Sequence, residues 1–123
     1  MRARFPRSAR IGRSEEIRRL LRRGRRMRHG PLEFFVAPAP CDHPRFGIIV
    51  PRYRRKVVAR NIVRRRLREL GRLHLLPRLR SATLSFDVLV RARPEAYGAS
   101  FTDLRAEVER LTDRLCSDAS PSH

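Results

Sequence analysis

The chain has 123 residues, a mass of 14.4 kDa, a formal net charge of +18 and a sequence pI near 11.9. One domain with a modest core is therefore expected, and its expected partner is a polyanion, nucleic acid ahead of an acidic membrane surface. Two cysteines, Cys41 and Cys116, sit in unrelated contexts, which excludes a disulfide framework and fits a reducing, cytoplasmic setting; no apolar run of signal-peptide length occurs, and nothing approaches the ~18 apolar residues of a membrane span.

Of the 30 basic residues, 29 are arginine, so the charge itself needs explaining more than the choice of guanidinium. Its placement is uneven. Residues 1–81 hold 25 basic and 5 acidic residues, whereas residues 82–123 hold 5 and 7, which assigns binding to the first two thirds of the chain.

Residues 1–13 are basic, short of apolar side chains and broken by Pro6 and Gly12, and are expected to form an extended N-terminal arm ahead of a single domain over residues 14–116. Ser14 reads as an N-cap, with Glu15 and Glu16 complementing the dipole of a short helix whose apolar face is Ile17, Leu20 and Leu21; Gly24 ends it. Arg25 to His29 is compatible with a strand, Gly30-Pro31 turns the chain, and Leu32 to Val36 reads as a second strand. The segment from Ala37 to Pro44 contains three prolines and reads as a loop. Arg45 to Val50 is a further strand, expected to form an antiparallel hairpin with the strand before it.

Pro51 to Arg55 leads into a helix expected from about residue 57 to about 75, stopped by Pro77. Leu84 to Val90 is the last strand, with Leu84, Phe86, Val88 and Val90 on one face and Arg93-Pro94 closing it. Thr102 and Asp103 precede a final helix whose Leu104, Val108, Leu111 and Leu115 form an apolar stripe. Residues 117–123 read as a disordered tail.

These elements predict an α+β fold: a two-layer α/β sandwich with a small mixed sheet of about four strands, in the order α-β-β-β-α-β-α. The strands flanking the long helix should be parallel, since strand, helix, strand of this length is a crossover unit. On that helix Arg60, Asn61, Arg64, Arg65 and Arg68 fall within one arc, while Val58, Ala59, Ile62, Val63, Leu70 and Leu73 occupy the opposite, core-facing arc. Nine basic residues lie between positions 52 and 68 with no acidic residue among them. Like charges one turn apart destabilise a helix by a few tenths of a kcal/mol per pair, and phosphates relieve that repulsion most simply. Asn61 is a poor helix-interior residue, but its amide can both donate and accept where arginine only donates.

Lys56, Arg60, Asn61, Arg64, Arg65, Arg68 and Glu69 together form the pattern Lys-x-x-x-Arg-Asn-x-x-Arg-Arg-x-x-Arg-Glu. This closely resembles the signature of the bacterial ribonuclease P protein component, and the resemblance runs from about Arg10-Ile11 through Leu115. Phe46-Gly47-Ile48-Ile49-Val50 looks like the family's strand entering the basic segment, and Phe86-Asp87-Val88-Leu89-Val90-Arg91 is similar to its next strand. The resemblance implies a left-handed βαβ crossover around the basic helix, in a fold like domain 2 of ribosomal protein S5. It also implies contact with a catalytic RNA subunit through Arg52, Lys56, Arg60, Asn61, Arg64, Arg65 and Arg68. A cleft at Ile17, Leu21 and Phe35 is implied for the 5′ leader of precursor tRNA. Hydrolysis is implied to rest on Mg²⁺ held by the RNA, with no catalytic residue, metal ligand or cofactor on this chain and no protein partner required.

The sequence departs from the family's pattern in places. Ile17 and Leu21 stand where aromatic residues are usual, so stacking worth ~1–3 kcal/mol per base is not available there. Ile62 replaces a usual basic residue and Arg66 a usual aliphatic one, an exchange one helical turn apart. The usual Lys-Lys-Val-Gly lead-in becomes Arg52-Tyr53-Arg54-Arg55, without the glycine. Cys41, Asp42 and His43 are neighbours in a proline-rich loop, not expected to converge on a metal or substrate. The remaining histidines (His29, His74, His123) are isolated, and Phe34, Phe46 and Phe86 are core candidates. The rival readings are a structural RNA-binding protein such as a ribosomal protein, and a protein-only nuclease, which the missing metal-binding carboxylate cluster disfavours.

Overall fold

The computed structural model describes residues 5–118. Four helices and a four-stranded sheet make up the fold: α1 (Ser14–Arg23), β1 (Arg25–His29), β2 (Leu32–Pro38), β3 (Arg45–Ile49), α2 (Val57–Leu70), α3 (Leu76–Ser81), β4 (Phe86–Ala92) and α4 (Phe101–Asp118). The sheet order is β1-β2-β4-β3. β1 pairs antiparallel with β2, β2 antiparallel with β4, and β3 parallel with β4.

The parallel pair flanking α2 is as expected, but β2 and β3 form no hairpin. β4 comes between them, pairing Phe34 with Val90 on one side and Phe46 with Val88 on the other. Local pairing rules favour strands adjacent in sequence. Here the central place goes to the strand that is apolar over its whole middle.

Strand alternation separates two apolar faces. Leu32, Phe34, Val36, Phe46, Val88, Val90 and Ala92 meet α2, α3 and α4 in the main core, where Val63, Leu67, Leu70, Leu104, Val108, Leu111 and Leu115 are buried. On the opposite face Phe35 and Leu89 form a smaller cluster with Ile11 and Leu20, and with Ile17, Leu21, Ala37 and Ile49 packed at its edge. α1 therefore lies on the far side of the sheet from α2. Gly24, which ends α1, permits that approach, since a Cβ there would stand 3.3 Å from Phe35 Cβ.

Several boundaries differ from expectation, each for a physical reason. The segment before α1 is not a free arm over its described part. Ala9 and Ile11 are buried, Arg10 bridges to Phe46, and the Ile11 amide donates to the Phe46 carbonyl at 3.0 Å. Ser14 is the first helical residue and makes no capping hydrogen bond; Arg13 holds the cap position. β2 continues through Ala37 to Pro38, because a proline at a strand end need not donate. Pro77 does not stop the helix. A single π-helical turn over Gly71–Leu75, closed by the Leu76 amide on the Gly71 carbonyl, restarts the ladder, so that Pro77 falls in the first turn of α3 where its missing N–H costs nothing. β4 begins at Phe86 rather than Leu84 and runs on through Ala92. α4 begins at Phe101: Ser100 caps it, its hydroxyl accepting from the Asp103 amide at 3.0 Å while Asp103 accepts from the Ser100 amide at 3.2 Å. Ser117 and Asp118 belong to α4, and the rest of the expected tail lies outside the described residues.

Candidate RNA interface

The turn that enters α2 carries the first candidate residues. Arg52 and Arg55 close a β-turn at 2.8 Å, with Tyr53 and Arg54 at φ 48° and 63°, the dihedral signature of a type I′ turn. Left-handed backbone at two bulky residues costs on the order of 1 kcal/mol each. A tyrosine clasp offsets it. The Tyr53 hydroxyl donates to the Ala92 carbonyl at 3.0 Å, the Tyr97 hydroxyl to the Pro51 carbonyl at 2.6 Å, the two rings meet edge to face, and Arg55 lies over the Tyr97 ring. The position lacking the family's glycine, Arg55, is not at positive φ, so the turn's backbone does not call for a glycine there.

Along α2 the buried stripe is Val63, Leu67 and Leu70. Val58 and Ile62, expected on that stripe, are 70% and 41% exposed, and Leu73 is exposed in the π-turn. The core face is therefore rotated toward Arg60 and Arg66. These two arginines serve the fold: Arg60 Nε donates to the Val50 carbonyl at 2.7 Å, and an Arg66 terminal nitrogen donates to the Ala99 carbonyl at 3.1 Å. The exchange of roles between Ile62 and Arg66 does not occur, since Arg66 turns toward the segment preceding α4. Asn61, Arg64, Arg65 and Arg68 face outward with Arg52 and Lys56 ahead of them. Among the described residues, Arg52, Lys56, Asn61, Arg64 and Arg65 have no side-chain hydrogen bond or ion pair within the chain, and Arg68 lies over the Phe5 ring. Unneutralised guanidinium groups on a rigid helix make a surface suited to a phosphate backbone.

The second candidate region lies on the α1 side of the sheet. Ile17, Leu21 and Phe35 do come together there, in the cluster around Leu20 and Leu89. Phe35, however, is only 3% exposed, and the Arg91 guanidinium covers its ring at 5.1 Å. Arg91 is held by Glu33, its partner across the β2–β4 register, at 3.1 Å, and Glu33 also accepts from Arg26 of β1. Burial pushes the Glu33 carboxyl up, but the hydrogen bonds and charges of Arg26 and Arg91 outweigh that and leave it below its ordinary value. The group presented to solvent over Phe35 is thus the Arg91 guanidinium, 32% exposed, and a guanidinium lying over an aromatic ring is a surface on which a base can stack. A charged Glu33 inside Leu-Glu-Phe-Phe-Val, on the same strand face as Phe35, was the sequence signal for it.

Arg45 anchors α1 to this face. It gives both Nε and a terminal nitrogen to Asp87, at 2.8 and 2.7 Å, and reaches Glu16 of α1 at 2.7 Å. The Asp87 hydrogen bonds, with Glu16 assisting, outweigh burial and raise its already high pKa. The Cys41, Asp42 and His43 side chains do meet, with Cys41 Sγ 3.7 Å from His43 Nε2 and Asp42 3.3 Å from Nδ1. That imidazole also bonds the Ser8 carbonyl at 2.8 Å and so ties the loop to the N-terminal segment. Among the described residues no group of three or more His, Cys, Asp or Glu side chains is placed to hold a metal ion. No helix of the described residues is long and apolar enough to cross a membrane.

The sequence model of the family described as Ribonuclease P matches residues 5–116. The chain belongs to the ribonuclease P protein family. Its relatives include the ribonuclease P protein component of Acidothermus cellulolyticus, 36% identical over 115 residues that cover 90% of this chain and 91% of the relative. That of Chloroflexus aggregans is 39% identical over 116 residues, covering 94% and 83%. Among solved structures, the RNase P protein of Staphylococcus aureus superimposes with a TM-score of 0.74 at 23% identity, over 87% of this chain and 94% of that one. The Thermotoga maritima RNase P protein gives 0.71 at 21% identity, over 85% and 96%. These two likenesses establish the fold. As a ribonuclease P protein subunit the chain serves maturation of the tRNA 5′ end.

Proposed function

We propose that the chain divides its work between the two faces of its sheet. The lead-in and outer arc of α2 (Arg52, Lys56, Asn61, Arg64, Arg65 and Arg68, with Arg60 at the margin) bind the catalytic RNA subunit. The cleft between α1 and the sheet, at Ile17, Leu21 and Phe35, receives the single-stranded leader of precursor tRNA, with Arg91 as the surface the bases meet. The observation that carries this reading is the run of nine basic residues from 52 to 68 without an acidic one, most of it outward and unpaired. In this reading the chemistry would be supplied by Mg²⁺ ions held by the RNA, which would activate water toward the scissile phosphate. The chain itself neutralises phosphates and positions the leader, in the cytoplasm and without a further protein partner.

The test is cleavage of a 5′-labelled precursor tRNA at limiting Mg²⁺ by the protein alone, a cognate catalytic RNA alone, and the two mixed. Mixing should raise the rate above that of the RNA alone, and the protein alone should be inert. Cleavage by the protein alone, or no gain on mixing, would overturn the proposal.

A further inference from the structure

A second basic surface lies across the sheet from α2. Arg18, Arg19, Arg22 and Arg23 are all exposed on the outer arc of α1, and β1 continues the sign with Arg25, Arg26 and Arg28. No acidic residue occurs from position 17 to position 32. Arg18–Arg22 and Arg19–Arg23 are like-charged i,i+4 pairs, each unfavourable in an isolated helix. The dipole at the helix C-terminus accounts for Arg22 and Arg23, but Arg18 and Arg19 sit mid-helix. Glu15, one turn earlier, pairs with neither, and Glu16 is taken by Arg45. Among the described residues Arg19, Arg22, Arg23 and Arg28 have no ion-pair partner at all.

This surface is not an extension of the α2 arc. α1 packs on the Phe35–Leu89 face and α2 on the Phe34–Val90 face, so the two strips are about 20 Å apart, two packed layers of about 10 Å each. It is continuous instead with the cleft. Arg18, Arg19, Leu21 and Arg22 line one open groove together with Glu15, which leaves three guanidinium groups against one carboxylate, and Leu21 also borders the apolar cluster in which Arg91 lies over the Phe35 ring. A strand leaving the cleft past Leu21 runs directly onto Arg18 and Arg22.

Resting on the cleft reading above, we propose that the outer face of α1 is a phosphate track for the part of the precursor leader upstream of the cleft. It reads charge and not sequence, because exposed guanidinium groups without carboxylate partners contact phosphates rather than base edges; Arg18 Nε also donates to the Ser14 carbonyl at 3.3 Å, which holds it against its own helix. About three phosphates engaged there add about −2 to the log–log salt slope of substrate binding.

The experiment uses the reconstituted holoenzyme, wild type and an Arg18→Gln/Arg19→Gln/Arg22→Gln variant that keeps good helix formers at exposed positions. Substrates are leaderless tRNA and precursors with leaders of about 5 and about 15 nucleotides, the lengths on either side of what one cleft can hold. The wild type should bind the long leader about tenfold more tightly than the short one, with a slope steeper by about 2. The variant should match the wild type on the short leader and lose the long-leader advantage, with assembly on the catalytic RNA unchanged. Equal loss on both leaders, weakened assembly, or no difference between long and short leaders in the wild type would overturn the track while leaving the cleft reading standing. No preference of the wild type for either leader over leaderless tRNA would overturn the cleft reading as well. The slope comparison on wild-type protein decides the matter independently of the variant.

Discussion

Arg60 and Arg65 lie little more than one turn apart on α2 and have different neighbours. Arg60 donates to the carbonyl of Val50, at the end of β3, and so fixes where the helix starts relative to the sheet; Arg65 is exposed and has no partner within the chain. Arg60→Ala should therefore cost about 1.5–3 kcal/mol of stability, the worth of a hydrogen bond from a charged donor, together with some RNA affinity. Arg65→Ala should leave stability unchanged and flatten the salt dependence of RNA binding by about 0.7 to 0.9, one phosphate's share. Urea denaturation and a binding titration at several salt concentrations separate the two effects, and an unchanged midpoint for Arg60→Ala would show that the tether carries no weight. Asn61, Arg64, Arg65 and Arg68 were legible as outward from spacing, because a helix has a dependable period, whereas Arg60, placed with them, turns to Val50, and Val58 and Ile62, placed on the core face, are exposed. The tether was not legible, since the Val50 carbonyl reaches Arg60 only through the chain reversal at Tyr53 and Arg54. Likewise Phe35 was readable as a cleft residue, but its cover by Arg91 required the β2–β4 register.

At the scale of elements, the passage from α2 to α3 depends on Gly71. A Cβ built there would stand 2.3 Å from the ring of Phe46, which is itself fully buried. Helix propensity alone favours alanine over glycine by up to about 1 kcal/mol; overpacking a core costs typically about 1–3 kcal/mol. The second effect should win, so Gly71→Ala is expected to lower the denaturation midpoint. Gly98→Ala, where nothing lies within 4 Å, should be nearly neutral. A Gly71→Ala protein as stable as the wild type would mean that Phe46 can move and that the helix crossing is not fixed by this contact. Periodicity sufficed to place α1, the start of α2 and the apolar stripe of α4; β1 was no more than compatible with a strand, and the buried stripe of α2 proved to be Val63, Leu67 and Leu70. Periodicity failed where partners are distant: the insertion of β4 between β2 and β3, and the π-turn that carries the helix past Pro77, are settled by packing on Phe46 and not by local signals.

For the molecule as a whole, the question is how much of the +18 acts on RNA. In the C-terminal third most arginines are spent on carboxylates: Arg91 on Glu33, Arg93 on Glu95, Arg105 on Glu109, Arg110 on Glu107 and Arg114 on Asp118. The arginines without such partners concentrate on α1 and on the approach to and outer arc of α2, on opposite faces of the sheet. Binding to the catalytic RNA alone should then engage the α2 side only. If that side neutralises about five phosphates, the log–log salt slope should lie at about −3.5 for single-stranded contacts to about −4.5 for duplex-like ones. A diffuse field of all the net charge would instead give a slope steeper than about −12. Titrating the protein against the isolated catalytic RNA over a series of potassium chloride concentrations distinguishes the two. A slope near −4 means a discrete helix face meets the RNA and leaves the α1 face free for a second strand. A slope beyond −10 would mean that the RNA wraps the protein, and the division of labour between the two faces of the sheet would fail with it.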